Sequence, residues 1–181
     1  MSLSLIILPC LCGLNRQCLI IAKLYYSLIY PFLTYSNLGE YISNNSFTSY
    51  HLTKKAVRIM TFSEYNSQSS PLFQKLKILK VSDLIYLYSA LFMNDYYSNR
   101  LPLIFDNFFK CINKVRQYQT RLASKISYYL PKARTNYGKF NIRFFGVKVW
   151  NTIDDSLKSK SRACFKNLSK ELMISNYRLV H

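Results

Sequence analysis

SDLIYLYSALFMNDYY, residues 82–97, is the stretch on which the fold class turns. Leu84, Leu87, Tyr88, Leu91 and Phe92 recur at three- and four-residue spacing, which puts them on one stripe of an α-helix. Ser82 is placed to cap that helix, and Asp83 suits the positive end of its dipole. A helix is therefore expected over 83–97.

Helices are also expected on both sides of it. Upstream, residues 18–36 read as a buried helix, with Leu24, Leu28 and Phe32 at four-residue spacing and Ile21 and Tyr25 alongside. Pro31 should kink or end it, because proline has no N–H and its ring crowds the preceding turn. Residues 39–50 read as a polar connection. Residues 52–62 read as a short helix with Leu52, Ala56, Ile59 and Met60 inward and Lys54, Lys55 and Arg58 outward. A second polar loop, 63–70, leads to Pro71 in a first helical turn. Downstream, 101–109 reads as a short helix or turn. Residues 126–133 and 140–145 read as two strands around Asn136-Tyr137-Gly138. Helices are expected again over 147–157 and 161–174. The fold class is mainly α (α+β), a helical bundle with one β-hairpin around 126–145.

Composition narrows the chemistry. The chain has 181 residues, 25 Lys+Arg against 8 Asp+Glu, and a net charge of +17. Eight carboxylates and two histidines leave little general acid–base machinery for a hydrolase. A pI near 9.8 points to an anionic partner, nucleic acid first and anionic membrane second. Cys10, Cys12, Cys18, Cys111 and Cys164 include no C-x-x-C pair, which argues against a zinc finger and for buried, reduced thiols. The apolar run at 3–14 has no basic n-region, and 18–35 is interrupted by Lys23 and Pro31, so neither reads as a clean signal peptide or membrane span. An intracellular location, in nucleus or cytoplasm, is expected.

Between Asp106 and Asp154 there is no acidic residue, while Lys110, Lys114, Arg116, Arg121, Lys125, Lys132, Arg134, Lys139, Arg143 and Lys148 all fall there. Repeated cations suit phosphate binding, because each neutralised phosphate releases condensed counterions. Tyr118, Tyr128, Tyr129, Tyr137, Phe140, Phe144 and Trp150 are interleaved. Such rings can stack on unpaired bases, although packing of the hairpin is their expected role here.

Six segments in order resemble one family. They are LYYSLIYPFLTYSNL (24–38), LTKKAVRIMT (52–61), SPLFQKLKILKVSD (70–83), LPLIFDNFF (101–109), YQTRLA (118–123) and PKARTNYGKFNIRFFGVKVW (131–150). Together they are similar to the carboxy-terminal part of reverse transcriptases of non-LTR, LINE-like retrotransposons, including the jockey-like elements. The resemblance spans about residues 23–176. It implies a palm-exit helix and thumb-like helices over 23–109, then a basic hairpin and carboxy-terminal helices over 110–181. Residues 1–22 match nothing in the family.

The departures matter as much. The aromatic-Ala-Asp-Asp turn that holds Mg²⁺ in the family's palm is not in this sequence. The Asp154-Asp155 pair follows Trp150-Asn151 and reads as a solvated helix end. Leu38-Gly39 stands where the family has Trp-Gly, Asn141 where it has Ser, and Val147 where it has Pro. No catalytic residue and no cofactor is therefore expected in this chain; Mg²⁺ belongs to the palm.

The expected function is that of a truncated reverse-transcriptase fragment with a surface for RNA or RNA–DNA duplex. Lys54, Lys55, Arg58, Arg121, Lys132, Arg134 and Arg143 are the expected phosphate contacts. The alternatives are a basic membrane-associated protein anchored through its amino terminus, and a decayed remnant without selected function. Without the palm, Leu24, Leu28 and Phe32 lose the surface they would pack on, and association through exposed apolar surface is expected.

Overall fold

The structure is a computed structural model, and it describes residues 16–34, 46–112 and 127–178. The described residues form eight α-helices: α1 (Arg16–Leu24), α2 (Ser46–Thr61), α3 (Ser69–Lys75), α4 (Val81–Tyr97), α5 (Asn136–Phe140), α6 (Ile142–Thr152), α7 (Asp155–Lys158) and α8 (Arg162–Ser175). Single 3-10 turns lie at Leu103–Phe105 and Asn176–Arg178. The chain divides into two compact units. One holds the described residues up to Ile85 together with Glu171 onward; the other runs from Tyr86 to Lys170.

In the first unit, α1 runs on through a π-helical turn, Tyr25–Ile29, and helical residues 30–34. The Tyr30 N–H donates to the Tyr25 carbonyl, five residues back. This is how the helix accommodates Pro31: the turn before it widens, so the helix continues where a break was expected. Ala22, Tyr25 and Leu33 are buried, whereas Ile20, Leu24, Leu28 and Phe32 are exposed. Leu24, Leu28 and Phe32 thus lie outside the core that a buried helix was expected to fill, and form the exposed apolar surface expected where the palm is missing.

Helix α2 begins at Ser46, inside the expected polar connection. Its buried face is Thr53, Val57 and Met60, one residue round from the predicted face, with Leu52 and Ile59 exposed. Burial of Thr53 is possible because its hydroxyl donates to the Tyr50 carbonyl at 2.9 Å, so no polar atom enters the core unpaired. Pro71 lies in the first turn of α3, as its fixed φ favours. The helix ends in a Schellman motif: Lys77 has φ 52°, its N–H donates to the Gln74 carbonyl, and the Ile78 N–H donates to that of Phe73. This hands the chain into the buried run Ile78, Leu79, Val81.

Helix α4 forms as its apolar pattern requires, but starts two residues early, at Val81, so Ser82 is inside the helix. In the second unit its residues Leu87, Ala90, Leu91 and Met93 are buried with Val147, Val149, Trp150 and Phe165. Gly146 sits where a Cβ would meet Met93 Sδ at 3.2 Å and Ile142 Cδ1 at 3.1 Å, so the lack of a side chain allows that close approach.

The expected β-hairpin around 126–145 is not present. Among the described residues the one trace of sheet is an isolated antiparallel bridge between Cys111 and Tyr128. Residues 136–140 and 142–152 are helical because two side chains cap them. Thr135 Oγ1 accepts from the Gly138 N–H at 3.1 Å, and Asn141 Oδ1 accepts from the Arg143 N–H at 2.9 Å. Asn136-Tyr137-Gly138 is the first turn of α5 and does not reverse the chain.

Candidate nucleic-acid interface

Lys132, Arg134, Lys139, Arg143 and Lys148 lie on the extended stretch before α5, on α5 and on α6, and all are exposed. None of them forms an ion pair among the described residues, where Arg100 and Arg162 pair with Asp95 and Lys158 pairs with Asp155. Lys139 Nζ reaches Asn136 Oδ1 at 3.4 Å, and the Arg143 guanidinium lies 4.2 Å from the centre of the Phe108 ring. A guanidinium lying over a ring still has N–H donors to offer an anion. The segment therefore presents positive charge with no carboxylate to neutralise it.

The α2 cations are arranged differently. Lys55 is exposed, while Lys54 Nζ sits 4.0 Å from the centre of the Tyr50 ring. Arg58 spends two donors on its own fold: Nε and Nη2 donate to the Ser67 carbonyl at 3.1 and 3.0 Å, pinning the loop after α2. Arg121 lies outside the described residues, as does the YQTRLA segment.

The interleaved aromatics divide. Trp150 and Tyr128 are buried, as packing residues should be, but Tyr137 is 67% exposed beside Lys139. Trp150 carries the Tyr97 ring on one contact and that of Phe165 on another, with centroids 5.7 and 6.3 Å away. The Lys158 ammonium lies 5.4 Å from the Trp150 ring and is buried, donating to Asp155 Oδ1 at 2.8 Å. Nothing in the sequence marks Lys158 out from the exposed lysines around it.

A cleft of about 800 Å³ opens in the second unit, on the loop after α4. Phe109 and Tyr128 line it as buried rings, and Tyr97 and Phe105 as partly exposed ones. The Tyr96 hydroxyl accepts from the Phe109 N–H and donates to the Phe109 carbonyl, both at 3.3 Å, which fixes that wall. Burial, then the nearby Cys111, Tyr96 and Tyr97, push the Tyr128 phenol well above its ordinary pKa. It is therefore neutral at physiological pH. Sequence reasoning did not find this cleft; Asn99 and Asn107, which turn the loop at φ 52° and 61°, are its faint signal.

Cys111 and Cys164 are free, as expected, but exposed instead of buried. The described residues include no group of three or more His, Cys, Asp or Glu able to hold a metal ion, and no helix long and apolar enough to cross a membrane. The run at 3–14 lies outside the described residues. Comparison with protein-family models, curated proteins and solved structures found no match to this chain.

Proposed function

We propose that this chain corresponds to the region after the palm of a non-LTR retrotransposon reverse transcriptase, and that it binds RNA or RNA–DNA duplex through phosphate contacts. The observation that carries the reading is the acid-free stretch from Asn107 to Ile153, whose described cations Lys110, Lys132, Arg134, Lys139, Arg143 and Lys148 are exposed. The order and spacing of the six family-like segments support the same reading. Lys132, Arg134 and Arg143 in the second unit act as point contacts that hold a backbone without reading its sequence, and Lys55 on α2 is a separate contact of the first unit. Polymerase chemistry is not assigned to these residues, since the paired palm aspartates are not among them.

Fluorescence anisotropy with a labelled RNA–DNA duplex at low salt tests the reading. Binding that weakens steeply with added salt is expected; no binding at low salt overturns it. A second reading, association with an anionic membrane, has the exposed row Ile20, Leu24, Leu28 and Phe32 in its favour. Co-sedimentation with anionic vesicles that survives high salt would favour that reading.

A further inference from the structure

We infer that the cleft after α4 is a binding site for an unpaired nucleobase, with Lys110 at its rim taking the adjoining phosphate. This rests on the nucleic-acid reading above and gives it a substrate class: a strand with at least one base out of the stack. Three observations lead there. The volume, about 800 Å³, falls in the range of small-ligand sites and exceeds what one base and its sugar require. Four aromatic rings line it, Phe109 and Tyr128 buried and Tyr97 and Phe105 partly exposed, so ring surface is available for a base to stack on. The rim is polar and uncommitted. Asn99, Asp106 and Asn107 line the cleft, and none of their side chains has a hydrogen-bond partner among the described residues.

Those groups match the edge of a base. The Asp106 carboxylate accepts from ring N–H and exocyclic amino groups, and the two amides both donate and accept. The backbone walls do not depend on the ligand: Asn151 and Tyr96 already fix the segments that carry Tyr128 and Phe109. A free mononucleotide and a base displaced from a strand share this chemistry.

The test uses the full chain, a labelled mixed-sequence single strand and an abasic strand of equal length. The base-bearing strand is expected to bind about tenfold more tightly. Phe105→Leu, which keeps apolar bulk but removes the flat face, should abolish that preference, while Tyr137→Leu, outside the cleft, should retain it. Cys111 also lines the cleft and is exposed, so its alkylation should slow when the base-bearing strand is bound, with exposed Cys164 unaffected. That readout stands even if the Phe105 variant does not fold. Competition by AMP would show that free nucleotides enter; no competition, with the base preference intact, would show that a strand is required. Equal binding of the two strands with a normal salt dependence overturns the cleft and leaves the basic surface standing. Loss of the preference in Tyr137→Leu but not in Phe105→Leu, or unchanged Cys111 alkylation, overturns the assignment to this cleft. Failure of both strands to bind at low salt overturns the nucleic-acid reading itself.

Discussion

The side-chain amide of Asn151 closes on both backbone groups of Tyr128: its Oδ1 accepts from the Tyr128 N–H at 3.0 Å and its Nδ2 donates to the Tyr128 carbonyl at 2.9 Å. On the other side, the flanking Tyr129 N–H donates to the Lys110 carbonyl at 2.8 Å and the Ile112 N–H to that of Ser127 at 3.3 Å. One asparagine on α6 thus does for Tyr128 what a neighbouring strand would do in a sheet.

Asn151→Ala should therefore destabilise the protein by about 2–3 kcal/mol, because two backbone groups lose their partners together. Asn151→Asp should be similarly harmful, since a carboxylate cannot donate to the carbonyl. Urea unfolding of the two variants beside the wild type measures this. A loss below about 0.5 kcal/mol would mean that the amide pair contributes little.

Stability should fall at alkaline pH through buried tyrosines. Burial raises the phenols of Tyr25 and Tyr177, and for Tyr177 the hydrogen bond it donates to Asp83 adds to the effect. Their folded pKa values lie above the unfolded value near 10, so their contribution is complete below about pH 10 and is lost as pH rises further. Urea midpoints should stay level from neutral pH to about 9 and then drop. Tyr177→Phe should soften that drop, since it removes the phenol that must stay protonated.

The exposed row on α1 and its continuation should drive self-association. Ile20, Leu24, Leu28 and Phe32 are each more than half exposed. Four-residue spacing makes them one ridge of the kind that packs into the groove of another helix. Leu24→Gln with Leu28→Gln should shift the protein toward monomer in size-exclusion chromatography with light scattering. An unchanged profile would show that the row is not responsible.

Much of the helical plan was legible. α4 announces itself through Leu84, Leu87 and Leu91, and the long polar-flanked α8 falls within one residue of expectation. The hairpin was misread because FNIRFF, residues 140–145, alternates like a strand over six residues. The helix shows only when Gly146, Val147, Val149 and Trp150 are read with it, and those four are the buried face of α6. Thr135 and Asn141 emerge as caps only in the structure, and Gly138 between them looks like a turn residue. On α2 the face was misplaced by one residue because Thr53 counts as polar until its hydroxyl is seen to bond within its own helix.

For the candidate interface, charge carries over well from sequence. Cations over an acid-free stretch have nothing nearby to pair with, and the five described ones from Lys132 to Lys148 are exposed. What pattern could not show is commitment to a tertiary partner. Arg58 looks like Lys55 in sequence, yet two of its donors are taken by the Ser67 carbonyl. The cleft was invisible for the same reason, since it needs residues 96–111 and Tyr128 to meet.

The most direct test is the salt dependence of duplex binding, measured on the wild type and on Lys132→Ala/Arg134→Ala/Arg143→Ala. Contact with about five phosphates predicts a slope of log K against log salt near −4 to −5 for the wild type. Removing three contacts should flatten it by about 2–3 while leaving the helical signal unchanged. A wild-type slope near zero, or a triple variant with the wild-type slope, would contradict the assignment of phosphate binding to these residues.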